Sequence, residues 1–199
     1  MLEPAHKLAI GTAQFGMPYG IANQNGQVLK NHVVRILDLA QSNGIKTIDT
    51  AKEYGTSEET IGYYLRKRPD QNWRIITKVN NNEMSLSDQV NDSINKLSII
   101  PKVVLSHSVR AYLNPIFCDE LHKLKEIGGV KQVGVSVYTN EEMQKILLGT
   151  LPDVIQCPLN ILDTKLYRNG ILDKMKAKKI DIHIRSVFLQ GLFYLSDKD

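Results

Sequence analysis

The chain has 199 residues, 42% of them apolar and 23% charged, an ordinary composition for a globular protein with one substantial core. A net charge of +4 is too mild, and its lysines and arginines too dispersed, to argue for a nucleic-acid partner. Cys118 and Cys157 lie far apart and give neither a disulfide framework nor metal spacing, and no apolar run approaches a membrane span. The start Met1-Leu2-Glu3-Pro4 lacks the basic region and apolar core of a targeting peptide, so a cytoplasmic protein is expected.

In chain order, Leu8 to Thr12 reads as a first strand, followed by a Gly- and Tyr-rich loop through Pro18-Tyr19-Gly20 to Asn25-Gly26. Val33, Ile36, Leu37 and Ala40 recur at helical spacing, and Asn43-Gly44 stops that helix. Lys46 to Thr50 is strand two. The Thr-x-x-Glu spacing of Thr56-Ser57-Glu58-Glu59 predicts a capping box ahead of a helix over Glu58 to Arg66, which Pro69 breaks.

Trp73 to Val79 is strand three, Pro101 to Leu105 strand four, Lys131 to Val137 strand five, Val154 to Cys157 strand six and Ile180 to Val187 strand seven. Between them Ser85-Leu86-Ser87-Asp88 caps a helix carrying Val90, Ile94 and Leu97. Leu121 and Leu124 mark one helix ended at Gly128-Gly129. Thr139-Asn140-Glu141-Glu142 is a second capping box, before Met143, Ile146 and Leu147, and Leu172 and Met175 mark a last helix. Strands four, six and seven are rich in Val, Ile and Leu, as expected when helices cover the outside of a sheet.

Polar residues stand at or just beyond the ends of four of these strands: Asp49, Lys78, His107 and Ser136. Each is 29 residues from the next, the length of one strand, one helix and two loops. This spacing implies successive parallel βα units, and in a (β/α) barrel the residues at the strand ends meet at one mouth. Singly, each residue reads as a cap, a solvated strand end or a polar plug; the equal spacing is what joins them. The expected fold is therefore α/β, a (β/α)8 TIM-barrel type in a single domain over residues 1–199. The count does not close, because eight strands typically need about 250 residues. About seven parallel strands are present, and the eighth βα unit is missing. Truncation, an open barrel, or a closing strand from another chain would each account for this, and an open sheet edge invites a homo-oligomer.

The stretch Asp49-Thr50-Ala51-Lys52-Glu53-Tyr54-Gly55, with Lys78 and His107, resembles the catalytic signature of the aldo-keto reductases. Ile10-Gly11-Thr12-Ala13-Gln14-Phe15-Gly16, Val133-Gly134-Val135-Ser136, Val154-Ile155-Gln156 and Arg185-Ser186-Val187-Phe188-Leu189-Gln190-Gly191 extend the resemblance over nearly the whole chain. The resemblance implies an NADPH-dependent oxidoreductase that reduces an aldehyde, ketone or sugar carbonyl, with NAD(H) as the alternative cofactor. It implies Tyr54 as general acid, Lys78 as the modulator of its pKa, Asp49 as the partner of that lysine, and His107 as the group orienting the substrate oxygen.

A free tyrosine, pKa about 10, is a sluggish acid near neutrality, and a neighbouring ammonium lowers that value by stabilising phenolate. The resemblance further implies cofactor contacts from Gly11, Thr12, Asp49, Ser136, Gln156, Arg185, Ser186 and Phe188. Val137 stands where the family usually has Asn. Arg185 stands where many members stack an aromatic ring on nicotinamide; it is expected either to stack or to pair with a carboxylate or a substrate acid. No Gly-x-Gly-x-x-Gly follows a strand, which argues against a Rossmann domain. His6, His32, His122 and His183 show no ligand spacing and read as surface or core residues, and no metal is expected.

Two other readings keep the barrel. One is a relative that no longer turns over and acts as a structural, sensing or partner-binding module, because the absent part of the family's barrel includes elements that grip the adenosine end of the cofactor. The other is a Schiff-base lyase using Lys78.

Overall fold

Seven short parallel strands succeed one another in chain order: β1 (Ala9–Gly11), β2 (Thr47–Asp49), β3 (Arg74–Val79), β4 (Val103–Ser106), β5 (Gln132–Ser136), β6 (Val154–Pro158) and β7 (Asp181–Arg185). Each pairs in parallel with its sequence neighbours. They come from a computed structural model that describes residues 5–126 and 128–195. Met1-Leu2-Glu3-Pro4 and the tail after Leu195 lie outside those residues. The sheet curls into an incomplete (β/α)8 barrel, open between β7 and β1, which are not paired among the described residues.

The helices lie on the outside. They are α1 (Ala13–Gly16), α2 (Lys30–Ser42), α3 (Ser57–Lys67), α4 (Leu86–Leu97), α5 (Val109–Tyr112), α6 (Pro115–Lys123), α7 (Asn140–Leu147), α8 (Lys165–Arg168) and α9 (Ile171–Ala177). Among the described residues, none is long and apolar enough to cross a membrane.

The period of two along each strand sorts the core. Ile48, Ile75, Val104, Val133, Val135 and Ile155 point outward and are buried under the helices, while Ile76, Val103, Leu105 and Val154 form a separate cluster inside. The same inward parity carries Asp49, Lys78, Ser136, Gln156 and Arg185 to the carboxyl ends of their strands. Beneath them a polar plug fills the floor. Arg74 donates to Gln132 Oε1 at 2.6 Å, and Gln132 Nε2 donates to Asp181 Oδ2 at 2.6 Å.

Several expectations change. The capping box at Thr56 does not form: Thr56 makes no side-chain cap, and its hydroxyl accepts from Gln27 Nε2 at 2.9 Å. Glu59, the acidic residue of that box, stays exposed, and its neighbour Glu58 turns inward, 2% exposed. Glu58 accepts from Thr77 Oγ1 at 2.6 Å and Ser93 Oγ at 3.2 Å, tying α3 to β3 and α4. The caps at Ser85 and Thr139 form as expected. The single helix expected after β4 is two helices, because Asn114 caps a new start with Pro115 in its first turn. The helix after β6 also breaks, at Gly170, whose φ of +66° suits glycine.

Strand seven is not the covered strand its Ile content suggests. Its residues are exposed or half-buried, and Ile184 is 38% exposed, as an edge without an eighth neighbour requires. The rim is nonetheless bridged across the gap. In the 3₁₀ segment Leu189–Tyr194, Gln190 Oε1 accepts from the Ile21 N–H at 3.1 Å and Gln190 Nε2 donates to the Tyr19 hydroxyl at 3.0 Å.

Glu58→Ala leaves two buried hydroxyls without their acceptor, and an unmet buried polar group costs about 1–3 kcal/mol. Chemical denaturation should show a stability loss of about 2–4 kcal/mol with an unchanged slope. A loss below about 0.5 kcal/mol would mean that Glu58 holds nothing together.

Candidate active site

The sheet hydrogen-bonding pattern continues past β2 and delivers the tyrosine. The Thr50 N–H donates to Ile76 O at 2.8 Å and the Lys52 N–H to Lys78 O at 3.2 Å, so the chain runs along β3 before turning through Ala51–Tyr54. Two glycines allow the next crossing. A Cβ on Gly16 would lie 1.7 Å from Tyr54 O, and one on Gly55, at φ +55°, would lie 2.3 Å from Gly16 O. The loop after β1 therefore packs directly on the tyrosine turn, and Thr56 N–H donates to Gly16 O at 3.2 Å.

Tyr54, Lys78, Asp49 and His107 meet at the strand ends. Lys78 Nζ is 2.8 Å from Asp49 Oδ1, 2.9 Å from Thr50 O and 3.5 Å from the Tyr54 hydroxyl. The Lys78 side chain is 1% exposed and that of Asp49 16%. His107 comes just after β4, where its N–H donates to Val79 O at 2.7 Å, and its ring stands edge-on to Tyr54 with centroids 5.9 Å apart.

Burial pushes the Tyr54 phenol above its ordinary 10.0; Lys78 opposes that rise and Asp49 adds to it. This corrects the expectation of a lowered value, because desolvation outweighs the ammonium here. Burial likewise holds His107 below 6.5, opposed by Glu53 and assisted by Lys78.

Gln156 Nε2 donates to the same Asp49 Oδ1 at 3.1 Å. Its Oε1 is buried without a hydrogen-bond partner. Ser136 is buried at the neighbouring strand end. A buried acceptor left unmet beside a hydroxyl suits the carboxamide of a nicotinamide, which offers both a donor and an acceptor. Gly11 pairs with Asp49, and a side chain there would meet nothing within 4 Å, leaving open space at the rim.

Other expected contacts differ. Thr12 is wholly buried; its hydroxyl donates to Asp49 O at 2.9 Å and lies 2.9 Å from Ser57 Oγ. Its side chain positions Asp49 rather than facing the mouth. Ser57 in turn lies 3.0 Å from the Thr50 hydroxyl. Phe188 is 57% exposed and packs on Tyr194 at 5.8 Å between centroids, away from the tetrad. Ser186 sits at φ +60° and accepts from Arg185 at 3.3 Å.

Arg185 pairs with no carboxylate among the described residues. It donates to Val137 O at 3.1 Å and lies 4.0 Å from the centre of the Tyr138 ring. Val137 thus serves through its carbonyl.

Three residues of this site lie outside the sequence-level assignment. Glu53 Oε2 approaches His107 Nδ1 to 3.0 Å without hydrogen-bond alignment, and Glu53 Oε1 accepts from Asn80 Nδ2 at 3.0 Å. Asn80 Oδ1 accepts from Ser108 at 3.2 Å, so Glu53 and Asn80 link the loops after β2, β3 and β4. A cavity of about 330 Å³ opens beside this rim, with Asn80, Met84, Gln89, Asn114 and Phe117 in its wall. Tyr138 is the third. The signals for Glu53 and Tyr138 were their places, one inside the Asp49–Gly55 stretch and one two residues past Ser136. No group of metal-ligating side chains occurs among the described residues.

The sequence profile of the aldo/keto reductase family matches residues 7–198. The chain belongs to that family. Its fold is similar to that of a Pseudomonas aeruginosa protein described as an aldo-keto reductase, 25% identical, with a TM-score of 0.75 over 90% of this chain and 73% of that one. It is also similar to an aldo-keto reductase from Klebsiella pneumoniae solved with NADP and acetate, 18% identical, TM-score 0.71, over 95% of this chain and 69% of the other. A glycerol dehydrogenase from Gluconobacter oxydans, 23% identical, aligns at 0.74 over 97% of this chain and 64% of its own. A search of curated proteins returns no match.

For this reductase-family tetrad, Lys78→Met removes the cation that favours the phenolate and leaves Asp49 to oppose it. Ultraviolet titration, with Tyr54→Phe as the subtracted reference, should place Tyr54 ionisation above pH 10 and move it higher still in Lys78→Met. An unmoved or lowered value would show that the ammonium does not act on the phenol.

Proposed function

We propose that the protein is an NADP(H)-dependent carbonyl reductase acting on a small aldehyde, ketone or sugar carbonyl, with NAD(H) as the alternative cofactor. The observation that carries this is the single cluster of Tyr54 hydroxyl, Lys78 ammonium at 3.5 Å and Asp49 carboxylate at 2.8 Å from that ammonium, edge-on to His107. The cofactor class rests on the family and on solved relatives described as complexes with NADP or NADPH. Ser136, Gln156 and Asp49 would hold the carboxamide end, Gly11 would leave room beneath it, and Ser186 would stand at its phosphate side. A reduced nicotinamide dinucleotide, when bound, supplies the hydride.

The chain's own residues handle the proton. Tyr54 donates its phenolic proton to the carbonyl oxygen as negative charge develops there. The phenolate left behind is stabilised by Lys78, which Asp49, Thr50 O and Gln156 hold in place. His107, kept neutral by burial, contributes a ring N–H to the same oxygen and fixes its position. A phenol whose pKa is raised stays protonated across the physiological range, so the donor form is present, and its proton transfer depends on Lys78 stabilising the phenolate that forms.

Schiff-base chemistry at Lys78 fits less well. The three N–H bonds of the ammonium face three acceptors, and the side chain is 1% exposed, so no lone pair is presented to a substrate. A binding module without turnover remains the second reading, favoured by the open seam between β7 and β1.

Oxidation of NADPH with a panel of aldehydes and ketones should be seen for the wild-type chain, and Tyr54→Phe should lower kcat by about 10²- to 10⁴-fold. Equal rates would remove Tyr54 as the acid, and NADPH binding without oxidation would favour the binding module. The kcat/KM profile should stay level from below pH 6.5, where His107 begins to charge, up to beyond pH 10.0, where Tyr54 loses its proton. A break near pH 7 would contradict both assignments.

A further inference from the structure

We propose that Arg185, with Tyr138, Val137 O and Ser186, forms a subsite for the carboxylate of an acidic carbonyl substrate. This rests on the reductase reading. The guanidinium has five N–H groups in a planar fork. One donates to Val137 O and one to the Ser186 hydroxyl, and Tyr138 supports the plane at 4.0 Å. Three donors and the full positive charge are left without a carboxylate among the described residues. The cation at the tetrad itself is different, since Lys78 is buried and neutralised by Asp49.

Position selects the occupant. Arg185 ends β7, pairs with Pro158 of β6 and contacts the loop after β5, so it belongs to the β5–β7 side of the mouth. It is near enough to His107 to oppose that ring's protonation. Glu53, an exposed carboxylate, belongs to the opposite side, with Asn80 and His107 on the loops after β2 to β4.

An acidic substrate is repelled by the Glu53 side and drawn to the Arg185 side. The same asymmetry turns its carbonyl toward Tyr54 and His107. A carboxylate offers two coplanar oxygens to the free edge of the fork, a match that a neutral hydroxyl does not make. The tyrosine stack and the two engaged donors fix the fork beforehand, which lowers the ordering cost of binding. The dinucleotide's phosphates share this anionic chemistry, and the experiment separates the two sources.

Succinic semialdehyde and 4-carboxybenzaldehyde would be compared with their methyl esters as substrates for wild type and Arg185→Gln. The NADPH dissociation constant of both proteins would be taken from fluorescence titration. Wild type should prefer the acids, and Arg185→Gln should lose about tenfold or more in kcat/KM for the acids and less than about threefold for the esters, with NADPH affinity unchanged. Equal losses for acid and ester, or weaker NADPH binding by the same factor, would assign Arg185 to the fold or to the cofactor phosphate and overturn the subsite.

Should neither protein oxidise NADPH with any carbonyl, the reductase reading fails, and calorimetry with benzoate and benzamide still decides the subsite. Benzoate binding to wild type but not to Arg185→Gln or Tyr138→Leu supports it. Equal binding, or none, overturns it. Near-ultraviolet circular dichroism of each variant separates a lost contact from a lost fold, and Arg185→Lys, which keeps charge without the fork, should restore only part of the preference.

Discussion

The ion pair between Lys78 and Asp49 sits at the centre of this structure, and its desolvation explains much of what surrounds it. An ammonium taken almost wholly out of water is tolerated only if its hydrogen bonds are met and a counter-charge is close. Asp49 Oδ1, Thr50 O and the Tyr54 hydroxyl meet those demands, and Thr12 and Gln156 in turn fix Asp49. Replacing such a pair by apolar side chains is often neutral or stabilising, so its presence argues for chemistry rather than stability. Tyr54 is the group that gains. The fold commits buried hydroxyls, two crossing glycines and a strand extension to keeping one phenol within reach of one ammonium.

Asp49, Lys78, His107 and Ser136 were legible in the sequence because a parallel βα repeat converts equal spacing into a shared rim, and the inward parity of each strand end then does the rest. Glu58 was not. The capping pattern points to Glu59, three residues after Thr56, and gives no signal for Glu58; Thr77 and Ser93 offer Glu58 two hydroxyls inside the protein, a tertiary demand that the local spacing does not show. The direction of the Tyr54 shift was equally hidden: an ammonium nearby is visible in a sequence, whereas the depth of burial that outweighs it is not. Arg185 stood between two readings for the same reason. Which partner a guanidinium takes depends on the loop after β5, whose Tyr138 and Val137 O meet it only in three dimensions.

The seam between β7 and β1 is the other consequence of the chain as it stands. A parallel sheet is ordinarily covered on both faces and closed or flanked at its ends. Strand β7 lacks that cover: its backbone edge has no partner among the described strands and Ile184 is left 38% exposed. The tetrad is built from β2, β3 and the loops after β2 and β4, on the far side of the sheet from that edge. Its hydrogen bonds also reach across the mouth to Gln156 on β6, the strand that pairs with β7. Ser186, Phe188 and Gln190 belong to the segment that leaves β7, and its Gln190 reaches Tyr19 and Ile21 across the gap.

This division separates proton chemistry from anion binding in physical terms. Proton transfer depends on sub-ångström placement of few atoms, which only the paired interior of the sheet supplies. Recognition of an anion tolerates more play, because a guanidinium fork is itself rigid and charge acts over several ångströms. Arg185 is braced by a ring, a carbonyl and a hydroxyl rather than by an eighth strand, and that bracing suffices for the softer task. Hence the same mouth presents a fixed acid on its β2–β4 side and an adaptable cation on its β5–β7 side. A substrate spanning the two would register its polarity before its carbonyl reaches Tyr54.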